Sequence, residues 1–248
     1  MLRHLGTKRT YEHNAKLATL LCITAGFVNA AGFLAFSVLT TNVTGHAALF
    51  VERLAQQDWK TARVVALWMF LFLAGAFISS LIVSWIGRHQ RYSYVIPILL
   101  ETAILILVAA LGYKYDQSLV AKEIFAGSLL FSMGMQNALV SIVSGSVVRT
   151  THLTGTFTDL GIELAQVLQK NREDRAILKV RIKLRAAIIF FFMCGALGGA
   201  YLFSYLSFKA FYIPAGILLF TLYSDIYRIR VKRYYRQHNP FKKPLTIS

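Results

Sequence analysis

Charge is what this sequence has least of. Only 15% of its 248 residues are Asp, Glu, Lys or Arg, and just 11 are acidic, whereas a soluble domain usually carries about 25% charged residues. With 56% hydrophobic residues and a mean hydropathy of +0.53, that shortage excludes an ordinary soluble domain. Cysteine is almost as scarce. Cys22 and Cys194 both fall in apolar runs, which excludes a disulfide framework and points to free thiols acting as small apolar residues. Proline occurs four times, and Pro97 and Pro214 stand near the starts of apolar runs, where proline costs a helix little. Also missing are a Walker lysine loop, a nucleophile elbow and an HExxH pair. No enzymatic constellation is visible, so neither an enzyme nor a cofactor is expected, and no metal site.

What the chain does have is long apolar runs almost free of charge, at residues 17–37, 64–87, 94–112, 124–145, 186–206 and 211–227. Most approach the roughly 17–25 residues a helix needs to cross the hydrocarbon core. A helix satisfies its own backbone where water is absent. The expected fold is all-α and integral to the membrane: six spans in a single membrane domain over 1–248.

The net charge of +16 is unevenly placed. With the N-terminus inside, 21 of the 27 Lys and Arg fall on inner segments and six on outer ones. The positive-inside rule therefore puts both termini in the cytoplasm. The basic tail at 229–248 reads as a segment lying on anionic lipid, and no nucleic-acid partner is expected. The basic start followed by an apolar run imitates a signal peptide. A mid-chain copy of the same segment argues that this first span is retained.

That copy belongs to a duplication of the whole chain. Gly26-x-x-Asn29-Ala30 matches Gly134-x-x-Asn137-Ala138 at an offset of 108, and Thr40-Thr41-x-x-Thr44-Gly45 matches Thr150-Thr151-x-x-Thr154-Gly155 at 110. "FLFLAGAF" from Phe70 resembles "FFFMCGAL" from Phe190 at 120, and "YVIP" ending at Pro97 resembles "FYIP" ending at Pro214 at 117. The repeats span 17–115 and 122–228. Each holds three spans, and an odd number forces the second copy to enter the bilayer from the opposite side. Inverted repeats of this kind are a recurring plan of secondary transporters and also occur in channels.

After each Thr-Gly comes a stretch with apolar residues at three- and four-residue spacing, "HAALFVERLAQ" and "TFTDLGIELAQVLQ", which predicts an extra short amphipathic or re-entrant helix in each repeat. Two readings of the turns stand side by side. Thr44 and Thr154 can be caps, with Gly45 and Gly155 permitting tight turns. Alternatively, two helix N-termini present their N–H groups and positive dipole ends to a solute, with Arg149 adding charge. On the second reading the substrate-binding candidates are Asn29, Thr41, Thr44, Gly45, Asn137, Thr151, Thr154 and Gly155. Asn29 and Asn137 lie inside apolar spans, where an amide must either bond to a neighbouring helix or line a pathway. Spans 1 and 4 are expected beside the pseudo-two-fold axis, turning both amides towards a shared central cavity.

Glu101 is the carboxylate clearly inside a span, and its repeat mate is Leu218. It is a proton-coupling candidate; the alternative is that it snorkels out or pairs with a basic residue. His46 and His152 lack metal-ligand spacing and are expected as caps or surface residues. Gly195 and Gly199 form a small-xxx-small pattern for close helix packing.

The duplicated "GFVNAAG…TTNVTGH" and "GMQNALVS…THLTGT" resemble the YoaK-like bacterial membrane proteins, a family of unknown function, from about Ala18 to Tyr227. The resemblance implies a multi-pass protein of the bacterial inner membrane with about six spans, and supplies no site residues. From the repeat plan the expected function is a small secondary transporter or permease for a polar, anionic or zwitterionic solute, working by alternating access. The alternative is a non-transporting scaffold or accessory subunit that binds another membrane protein. A homodimer is expected, because two copies would supply twelve helices around a solute path.

Overall fold

In the computed structural model, the described residues are 11–87, 92–144, 148, 150–169 and 172–238. Arg149 and the last part of the basic tail, 239–248, lie outside them. The described chain folds into α1 (Tyr11–Phe36), α2 (Val43–Ala55), α3 (Trp59–Ile86), α4 (Val95–Leu111), α5 (Leu119–Ser144), α6 (Leu153–Gln169), α7 (Arg172–Leu206) and α8 (Tyr212–His238). Short 3₁₀ turns at Gly112–Lys114 and Ser207–Phe211 follow α4 and α7. Pro97 and Pro214 are each the third residue of their helix, a position that has no intrahelical N–H bond to lose.

Asp58 starts α3 by accepting a bond from the Thr61 N–H at 3.1 Å, and hydrogen bonding from the Thr61 side chain and then its backbone holds the carboxyl below the usual range. The extra helices predicted from the amphipathic stretches are α2 and α6. One boundary differs. The apolar run of the fifth span starts at residue 186, where charge stops, yet α7 begins at Arg172. Hydropathy marks where a helix can enter lipid, whereas its backbone bonds continue through polar residues as readily.

Five described stretches are long and apolar enough to cross a membrane: Thr19–Phe36, Trp59–Ile86, Val95–Lys114, Leu119–Ser144 and Arg175–Tyr227. The last holds α7, its 3₁₀ turn and the first half of α8. The chain is an all-α, multi-pass membrane protein. Its outer surface agrees: Phe70, Leu73, Phe77 and Trp85 of α3, and Phe190, Leu197 and Tyr201 of α7, are all exposed, an apolar mantle that lipid would cover. By contrast α1 and α5, which carry the duplicated motif, are largely buried.

The helices pair across the repeat boundary. The two largest seams join α1 to α7 and α3 to α5; α2 lies on α3, α6 on α7, α4 on α8, α4 on α5 and α8 on α1. Exchanging α1–α4 for α5–α8 leaves this pattern unchanged. Spans 1 and 4, expected together near the axis, do touch as α1 and α5, but each has its main partner elsewhere.

Glycines set the two large seams. A Cβ at Gly26 would strike the Phe192 carbonyl oxygen, and one at Gly134 the Phe72 carbonyl oxygen. Reciprocally, Gly75 faces the Phe131 carbonyl and Gly195 that of Ile23, with Gly199 against Phe27. By the repeat offsets the first four are two contacts each made twice, while the place of Gly199 is taken in the other copy by Ser79. Apolar helices gain little by hiding from lipid, so backbone-to-backbone packing over small residues replaces the hydrophobic drive.

Candidate functional site

The site grows from what happens after α1 and α5 end. Ser37 takes φ 56° and the chain doubles back along α1. Thr40 comes beside Gly32, and Thr41 donates from both N–H and Oγ1 to Asn29 Oδ1, at 3.1 and 2.9 Å. Asn29 precedes the end of α1 by seven residues, or roughly 10 Å of helix rise. The turn is therefore tucked deep beside the helix it has just left. At the end of α5, Ser144 Oγ donates to the Val148 carbonyl and accepts from its N–H, each at 3.0 Å. Gln136, eight residues before that end, donates to Thr150 Oγ1 at 3.3 Å and to the Leu21 carbonyl of α1 at 2.8 Å. The second turn is tucked back in the same way.

Both returning turns open onto one pocket of about 410 Å³. Thr41, Asn42, Val43 and Thr44 line it from the start of α2; Thr151, His152, Leu153 and Thr154 line it from the start of α6. Phe72, Asn137 and Ser141 close the remaining wall. Two helix N-termini, each carrying the equivalent of about half a positive charge and free N–H groups, thus converge on one space. None of the described residues lining it is Lys, Arg, Asp or Glu.

The eight candidates therefore part company. Thr41, Thr44, Asn137, Thr151 and Thr154 are brought together at the pocket. Gly45, Gly155 and Asn29 are not among its lining. Asn29 is spent on Thr41, while the buried Oδ1 of Asn137 has no partner. The difference has a cause in sequence. Where α5 carries Gln136 to hold Thr150, the equivalent residue of α1 is Val28, and the buried Thr40 hydroxyl is left without a partner.

Some expectations need correcting. The cap of α2 is Asn42, whose Oδ1 accepts from the Gly45 N–H at 2.9 Å, and not Thr44, which is exposed in the first turn. His46 is not at the surface. It is 5% exposed, with its ring 5.8 Å from that of Trp68, because the inward face of α2 packs on α3. Glu101 does not snorkel: it is 1% exposed on α4, away from the pocket, and its Oε1 has no partner. His152 stays exposed at the start of α6, its carbonyl accepting from the Thr156 N–H at 3.1 Å. Both cysteines are free, Cys22 buried and Cys194 exposed.

Gln136, Asn42, Ser141 and Phe72 were missed. Gln136 carried a signal, since an amide inside an apolar span faced Val28 in the other copy.

Residues 17–224 match a family described as Protein of unknown function (DUF1275). The UPF0700 transmembrane protein YoaK of Bacillus subtilis (strain 168) is 28% identical over 183 residues, 73% of this chain and 80% of that protein. No solved structure matches.

Proposed function

We propose, for a chain that belongs to the DUF1275 family of proteins of unknown function, that it is a small permease passing a polar, anionic or zwitterionic solute through the pocket between its two Thr-rich turns. One observation carries the reading: two helices from different repeats begin at the same small polar pocket. Helix N-termini that converge without a carboxylate favour negative charge and repel cations. Broken backbone is tolerated at membrane depth only where it is buried or lines a cavity, and here α2 and α6 start from turns folded back beside α1 and α5. We read them as re-entrant half-helices.

The inverted six-span plan is part of this proposal. Three spans per repeat, the one-sided distribution of Lys and Arg, and a packing pattern unchanged on exchanging the repeats support it. Two similar halves around one site can swap roles, which is what alternating access requires.

The test is flux through the full chain reconstituted in vesicles of phosphatidylethanolamine and phosphatidylglycerol. The probes are nitrate, acetate, lactate and glycine, with choline as the cation control. At least one anion or glycine should cross faster than in protein-free vesicles, choline should not, and Thr44→Val with Thr154→Val should slow the passage. Vesicles that stay closed to all four solutes would end the permease reading and leave the scaffold alternative standing.

A further inference from the structure

Away from the pocket, the α4–α8 seam buries a second set of polar groups. Glu101 and Thr102 of α4 and Thr221 and Asp225 of α8 are all at most 3% exposed. The threonines bond within their own helices, Thr102 to the Ile98 carbonyl and Thr221 to that of Ile217, both at 2.7 Å. Asp225 lies against Tyr94. Glu101 differs from all of these, since a carboxylate oxygen is shut inside the protein with no hydrogen-bond partner.

The repeat shows that the fold does not require it. At the equivalent place in α8 stands Leu218, as completely buried. A buried, unpartnered polar group is destabilising, and a buried charge far more so. Leucine would serve packing better at both positions.

We propose that Glu101 is a proton-binding site. Its carboxyl is protonated while enclosed among α4 and the elements packed on it, and it gives up that proton to water when α4 parts from them. The reaction is a bare protonation, one carboxylate oxygen taking or releasing H⁺, and needs no further reactant. Asp225 is the buried titratable group of α8, and it lies against Tyr94 at the start of α4, seven residues or roughly 10 Å of helix rise from Glu101. Among the described side chains of elements packed against α4, Lys122 and Glu123 of α5 are half-buried, and Lys60 and Arg63 of α3, Lys114 and Lys209 are exposed. That proton movement drives solute movement is a further step, and it rests on the permease reading.

The experiment uses the full chain in the same vesicles and has two arms. Infrared difference spectra between two pH values should show the carbonyl stretch of a protonated carboxyl in the wild type. That band should be lost in Glu101→Gln and in Glu101→Leu. The leucine variant should also melt about 2–4 °C higher, because an unpartnered polar group is gone, which shows the loss is not unfolding. Spectra unchanged by both substitutions would overturn the proton site.

In the second arm, a pH gradient is imposed with whichever of nitrate or glycine crosses, since acetate and lactate follow a pH gradient through bare lipid as their neutral acids. The wild type should accumulate it, while Glu101→Gln should only equilibrate it. Equal accumulation by both would overturn coupling and leave the infrared result in force. No crossing in the wild type would overturn coupling together with the permease reading, and the infrared arm alone would then judge the proton site.

Discussion

At the scale of single residues, the two copies of one asparagine are not doing one job. Asn29 holds the first turn through two bonds to Thr41, so Asn29→Ala should destabilise the protein by about 1–3 kcal/mol, the usual result of leaving buried donors unpaired. Asn137 makes no such bond with its buried oxygen. Asn137→Ala should leave the melting temperature within about 0.5 kcal/mol equivalent and instead slow the flux of the transported probe. Thermal melts and vesicle flux on the two variants check both halves, and equal loss of stability would refute the division of labour. The motif singled out both residues. It could not disclose the division, because that depends on Val28 and Gln136, neighbours outside the repeated letters.

Among elements, the small residues at the helix contacts were legible, but the partner helices they meet were not. Gly26, Gly134 and Gly195 stood in readable patterns, and each meets a backbone carbonyl of its partner helix. Gly75 was visible only through the likeness of "FLFLAGAF" to "FFFMCGAL". Alanine at Gly26, Gly75, Gly134 or Gly195 should force the seams apart and destabilise by about 1–3 kcal/mol each. Gly198 and Gly216 provide the controls. Nothing lies within 4 Å of a Cβ placed there, so alanine should be neutral or add up to about 1 kcal/mol through helix propensity. Melting temperatures of the six variants, ranked, are the measurement. The doubling back after Phe36 and Ser144 was not legible, since hydropathy cannot say whether a short helix lies at the surface or is tucked between longer ones.

For the whole molecule, orientation rests on the charge count. In a background lacking Cys22 and Cys194, cysteine at Gln57 or Gln117 should react with a membrane-impermeant maleimide in intact cells, and cysteine at Gln169 only after lysis. Labelling of the Gln169 variant from outside would remove the inverted plan, because the connection after α6 would then share a side with that after α2. The expectation at this level comes from sequence alone: an odd number of spans per repeat and a lopsided charge distribution need no coordinates. What it withheld is that the halves interleave.

That interleaving bears on how the protein is made. As α1 and α3 leave the ribosome, their glycine faces have no lasting partner, because α5 and α7 are still unwritten. Insertion and packing are thereby separated in time, with lipid or a chaperone holding the place of helices yet to come. A fragment ending at Gln117 should be cleared by proteolysis when expressed alone, as should the fragment that begins at Ser118. Produced together in one cell, the two should be recovered as a single complex.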